Sequence, residues 1–136
     1  MTSDIFSSDV PRLNRSDFSP CGSLKTHKNG VSAVLFYLSS NRFCQTFAPE
    51  FKKLVGMCSG ICETFAVNME QGTNNALLSM SSKFPYDISN YPTIVIYFDG
   101  EPCSVYLGVR SADSLLNSLK SITTRNQCKF EYKPCE

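Results

Sequence analysis

The chain has no tryptophan and a single histidine in 136 residues. His27 has no partner acid close to it in sequence, so a surface histidine is expected there rather than a catalytic one. Charge is sparse and balanced. Thirteen Lys and Arg against twelve Asp and Glu give a net charge of +1, which favours neither nucleic acid nor an anionic membrane surface. No apolar run approaches the ~20 residues that span a bilayer. Residues 1–9 carry neither a basic stretch nor an apolar one, so no secretory signal is expected, and a cytoplasmic protein or a particle assembled there is anticipated. Phosphate-cradling glycine loops, dinucleotide fingerprints, nucleophile elbows, internal repeats and low-complexity segments are all missing. No cofactor is expected.

Cysteine is what the chain has in excess: Cys21, Cys44, Cys58, Cys62, Cys103, Cys128 and Cys135. An odd number leaves at least one thiol unpaired in a monomer. Without a secretory signal, mostly reduced thiols are expected, several of them acting as small buried hydrophobes. Cys58-Ser59-Gly60-Ile61-Cys62 can close as a local disulfide or join Cys128 and Cys135 around zinc. Its three-residue spacer is not the two-residue knuckle of common zinc sites, so no metal is expected.

The length suits one globular domain with a substantial core. Residues 1–9 read as a polar arm, and Val10-Pro11-Arg12-Leu13 as a short strand that Pro11 confines to an edge. Asn14 or Ser16 can cap an irregular helical segment containing Phe18 and Leu24. Residues 31–38 are nearly continuous apolar sequence, as in a strand buried on both faces. The Ser39-Ser40-Asn41 turn then caps a helix over 42–57, with Phe43, Phe47, Phe51, Leu54 and Val55 on one face and Pro49 producing a kink. Residues 62–69 form a strand, and Asn74 or Asn75 starts a helix that stops before Pro85. Residues 93–98 give the clearest strand, followed by an Asp99-Gly100 turn into a strand over 103–109. Ser111 caps a last helix with Leu115, Leu116, Leu119 and Ile122 in a stripe. Residues 123–136 read as a polar tail. The order β-α-β-α-β-α-β-β-α is that of an α/β sandwich around a mixed sheet.

Several motifs fall on this frame in a telling order. Phe36-Tyr37 leads into Asn41-Arg42-Phe43-Cys44, and Ala48-Pro49-Glu50-Phe51 continues the helix. Tyr86-x-Ile88 precedes Tyr91-Pro92-Thr93, and Asp99-Gly100 and Gly108 follow. Together these resemble the thioredoxin and protein disulfide isomerase family over residues 10–122. The resemblance implies a thioredoxin-like fold and a cis Tyr91–Pro92 bond facing the site. It also implies that the backbone beside Tyr91 and Pro92 is free to pair with an extended polypeptide.

The departures from the family pattern shape the functional expectation. Asn41 stands where the family has its attacking cysteine, and an amide is no nucleophile at neutral pH. Cys44 matches the resolving position, Ser40 replaces the preceding tryptophan, and Leu35 replaces a buried acid. Two-thiol turnover needs a low-pKa attacker and a resolver, so it is not expected. The expected role is protein binding, as a structural subunit of a larger assembly such as a virion. Asn41, Arg42, Phe43, Tyr91 and Pro92 would form its docking surface, and other proteins or extended segments its partners. The alternative is a monothiol exchange protein using Cys44. There the helix dipole and Arg42 lower the thiol pKa, burial and Phe43 raise it, and Cys128 or Cys135 is available to pair with it.

Overall fold

The computed structural model describes residues 4–131. Its order is β1 (Val31–Tyr37), α1 (Arg42–Met57), β2 (Glu63–Asn68), α2 (Leu77–Met80), β3 (Thr93–Phe98), β4 (Glu101–Val105) and α3 (Ala112–Ser121). The strands form one sheet in the order β2-β1-β3-β4. β1 runs parallel to β2 and antiparallel to β3, and β3 pairs antiparallel with β4. This is a thioredoxin-like mixed sheet of the α/β class.

Continuous apolar strands make sense because both faces are covered. Ala33, Leu35 and Tyr37 of β1 and Ile94 and Ile96 of β3 join one core with Phe47, Phe51, Leu54, Leu115 and Leu119 of α1 and α3. Val34, Phe36, Val95 and Tyr97 point the other way, into Leu13, Phe18, Leu24, Leu77 and Tyr86. The alternation of strand side chains therefore feeds two cores from one run of sequence.

The opening strand shrinks to one parallel bridge, Arg12 with Ala66. Leu13 N–H donates to Ala66 O and Ala66 N–H to Pro11 O, but Pro11 has no N–H to extend the ladder. The first helix is a single 3₁₀ turn, Arg15–Asp17, closed by Asn14 N–H donating to an Asp17 carboxylate oxygen at 2.7 Å. The second is one turn of α-helix between two 3₁₀ turns, Asn74–Ala76 and Ser81–Lys83. β4 stops at Val105 instead of reaching residue 109. A register shift between Ile96 and Tyr97 bends the pairing, and Tyr106 folds back to donate its hydroxyl to Val109 O.

Both ends of the described chain are tied down. Phe6 and Val10 enter the α1/α3 core. Asp4 accepts from Tyr37 OH at 2.7 Å and pairs with Arg12 at 3.1 Å. Burial alone would raise the Asp4 pKa, but hydrogen bonds from Phe6 N–H, Tyr37 and Arg12 hold it below 3.8. At the other end Cys128 is disulfide-bonded to Cys103. Arg125 donates to Phe98 O and Pro102 O, and Lys129 and Phe130 N–H donate to Cys103 O. A polar composition concealed both attachments.

A depressed folded-state pKa means that Asp4 contributes stability above its unfolded value and loses it as pH falls through the lower folded value. Chemical denaturation across the acid range is expected to show stability falling below pH 3.8, and Asp4→Asn should flatten that decline. At neutral pH the same change should cost about 1 kcal/mol, because the pair is partly exposed and the hydrogen bonds are only weakened. An unchanged acid limb would place the titrating groups elsewhere.

Candidate functional site

The site is built where β1 hands over to α1. Asn41 has extended backbone, φ −83° and ψ 129°, and acts as the N-cap. Its Oδ1 accepts the Cys44 N–H at 3.0 Å, satisfying one of the first-turn donors that a helix leaves unpaired. The preceding turn is held from several sides. Ser40 N–H and Oγ donate to the Glu70 carboxylate, Gln45 Nε2 donates to Ser39 O, and Ile5 N–H donates to Ser39 Oγ. Asn41 is thus a structural cap, with its amide oxygen committed to Cys44.

Cys44 is 2% exposed and sits in the same core as Leu35, Phe47 and Phe51. Burial pushes its thiol above 9.0 and Glu70 adds to the rise, while the Leu38 backbone and Arg110 offset only part. The expected influence of Arg42 does not appear, and Arg110 supplies the positive field instead. Leu35, fully inside this core, puts an isobutyl group where the resemblance places an acid.

Phe43 is 63% exposed, so it does not belong to the buried stripe. That stripe is Cys44, Phe47, Ala48, Phe51 and Leu54, one residue later at its start than expected. The cap fixes the helix phase, and this phase turns Cys44 inward and Phe43 outward. Arg42 is exposed as well.

The Tyr91–Pro92 peptide bond is cis. Tyr91 is half-buried, and its hydroxyl pKa is raised by burial and by the nearby Cys44. Pro92 lines a groove of 780 Å³ with Asp87, Ser89, Thr93, Leu107 and Arg110. Leu107 and Val109 are 87% and 70% exposed. Of the five expected docking residues, Tyr91 and Pro92 border this groove or Cys44, Asn41 caps Cys44, and Arg42 and Phe43 face solvent. Sequence reading missed Leu107 and Val109 because their alternation was assigned to a strand over 103–109, and it missed Arg110 just beyond that strand.

The other cysteines among the described residues are spoken for. Cys58 is bonded to Cys62, Cys103 to Cys128, and Cys21 is also disulfide-bonded. Cys44 is the free cysteine of the described residues. Mostly reduced thiols were expected, and the structure corrects that expectation. Cys128 is unavailable to Cys44, and a zinc grouping of Cys58, Cys62 and Cys128 is dispersed into two disulfides. Cys135, the other expected partner in both arrangements, lies outside the described residues. Among those residues no group of three His, Cys, Asp or Glu side chains converges on a metal position, and no helix is long and apolar enough to cross a membrane.

A family model described as Thioredoxin matches residues 22–121. Protein disulfide-isomerase A3 of Gallus gallus is 30% identical over 113 residues, covering 83% of this chain and 20% of that protein. Uncharacterized protein 196R of Invertebrate iridescent virus 6 is 30% identical over 97 residues, covering 71% of this chain and 54% of that protein. Thioredoxin f2 of Chlamydomonas reinhardtii superposes with a TM-score of 0.63 at 20% identity, over 82% of this chain and 94% of its own, a likeness of fold alone. The chain spans from a fifth to about half the length of these two curated relatives.

Proposed function

This chain belongs to the thioredoxin family, and on that premise we propose that its Asn41–Cys44 site works by binding other polypeptides, without two-thiol turnover there. The observation that carries the reading is the state of the active-site helix start. Asn41 holds the attacking position and is committed as a cap, while Cys44 behind it is buried with a raised pKa. A site in this state lacks an accessible thiolate. Around it remain the features that suit docking: Phe43, Leu107 and Val109 exposed, and the groove beside Pro92. An extended segment lying in that groove meets apolar side chains on its rim and Arg110 and Asp87 within it.

The same proposal makes the protein a subunit of a larger assembly, such as a virus particle. A relative from an iridescent virus supports this setting. The disulfides argue for a working location that preserves them, such as an assembled particle, over the reducing cytosol. Fold membership adds nothing to the choice of partner.

The competing monothiol reading draws on Cys44 being a free thiol under the field of Arg110. Binding of wild type, Phe43→Glu and Cys44→Ser to an array of extended peptides separates the two. Phe43→Glu is expected to weaken binding about ten-fold or more, the cost of charging an apolar contact, while Cys44→Ser stays near wild type. The reverse ranking would replace docking by thiol exchange.

A further inference from the structure

Cys58 and Cys62 lie at the opposite end of α1 from Cys44, about 20 Å away at roughly 1.5 Å of rise per residue. Cys58 is the C-cap of α1, and its carbonyl accepts both Ile61 N–H at 2.8 Å and Cys62 N–H at 2.9 Å. Cys58 N–H in turn donates to Leu54 O, and Gly60 takes the positive φ the turn needs. The backbone therefore closes this turn without help from sulfur. A cross-link across four residues also restricts the unfolded chain much less than Cys103–Cys128, which spans 25. As a structural staple the short disulfide contributes less than the long one.

The two sulfurs are unequal. Cys58 is buried in the α1/α3 core, whereas Cys62 is only half-buried and packs at its margin. Cys62 lines a hollow of 250 Å³ with Gly30, Gly60, Ile61 and Glu63, and Ile61 is 55% exposed. A partly exposed cysteine at the edge of a hollow, backed by a buried one, suits thiol–disulfide exchange.

We propose that Cys58–Cys62 is a thiol–disulfide exchange couple, remote from the Asn41–Cys44 docking site, that oxidises paired thiols in a polypeptide client. A client thiolate attacks Cys62 Sγ, a client–Cys62 bond forms, and the Cys58–Cys62 bond breaks. Cys58 leaves with the electron pair and takes a proton from water. The client's second thiolate then attacks the client sulfur of the mixed disulfide and releases Cys62, which is protonated in turn. Two electrons pass from client to protein: the client gains a disulfide, and Cys58 and Cys62 become thiols. Should the client bond stall, Cys58 attacks Cys62 and frees the client unchanged.

The test uses the intact chain and a synthetic peptide with two reduced cysteines, followed by alkylation and peptide mass mapping. Wild type is expected to oxidise one equivalent of peptide at least about ten-fold faster than glutathione disulfide at equal concentration. Cys58 and Cys62 should become alkylatable while Cys103 and Cys128 stay protected and the circular dichroism stays native. Cys58→Ser, treated with glutathione disulfide, should collect an adduct at Cys62. Cys62→Ser should collect none at Cys58. Opening of the pair only in step with unfolding, or an adduct at Cys58 instead of Cys62, would overturn the proposal. If the variants fail to fold, the wild-type peptide reaction decides alone.

Discussion

In the native protein, Cys44 is expected to react with iodoacetamide at least about a thousand-fold more slowly than in the unfolded chain. Two independent terms lead to that figure. Access is the larger: at 2% exposure the sulfur presents almost no surface, so labelling waits for an opening of the α1 start. Openings that expose a core side chain cost an appreciable part of global stability, which is about 5–15 kcal/mol for a small domain. At about 1.4 kcal/mol per decade, an opening that costs about 5 kcal/mol yields more than three decades. Ionisation is the smaller term. Only the thiolate reacts, and burial raises the pKa from 9.0 despite Arg110 and the Leu38 backbone. The labelling rate should therefore keep rising through pH 9.0 with no earlier plateau. Fast native labelling with an apparent pKa below the free-thiol value of about 8.5 would sink this account. The monothiol reading would then stand in place of docking.

Much of the fold could be read because strong local signals coincide with it. α1 occupies residues 42–57 as expected, since Asn41 is a good cap and the apolar residues repeat at helical spacing. β3 and α3 follow for similar reasons, with Ser111 Oγ accepting from Ser114 N–H at 3.2 Å. What composition left unresolved was phase. Phe43, Phe47, Phe51 and Leu54 fit a stripe about as well as Cys44, Phe47, Phe51 and Leu54 do. Hydrophobicity favours the phenylalanine, yet the cap sets the rotation and buries the cysteine. The docking rim has the same history. Leu107 and Val109 alternate like strand residues, but β4 ends at Val105 and leaves both in solvent.

Cysteine pairing and chain ends were illegible for a different reason: they depend on contacts far apart in sequence. Nothing near Cys103 announces Cys128, which arrives only because Arg125 anchors on the carbonyls of Phe98 and Pro102. Phe6 stands in a polar stretch, and its burial depends on Tyr37, 31 positions later, whose ring centroid lies 4.9 Å away. Local pattern located the candidate site through Cys44, Tyr91 and Pro92. Long-range packing determined that Cys44 is sealed and that Arg110 is the cation acting on it.

The other large effect is expected at Gly22. Its backbone has φ +88°, a left-handed conformation that costs a residue with a Cβ about 1–2 kcal/mol. A Cβ there would also lie 2.9 Å from both Cγ and Cδ1 of Phe84. Phe84 has little room to retreat, because it is buried and its ring packs on Tyr86 at 5.3 Å. The Gly22 carbonyl accepts Tyr97 OH at 2.6 Å, and Tyr97 is in turn bonded to Tyr86 OH, so a shift of the loop disturbs a buried network. Overpacking of this kind adds about 1–3 kcal/mol, for a total of roughly 2–5 kcal/mol lost in Gly22→Ala. Gly30 supplies the control. It has a similar φ of +76° with nothing within 4 Å of its added Cβ, so Gly30→Ala should lose only the conformational part, about 1–2 kcal/mol. Urea unfolding of the two variants beside wild type measures the difference, which is the packing term alone. Equal losses would mean that Phe84 yields freely and that the second core is looser than its rings imply.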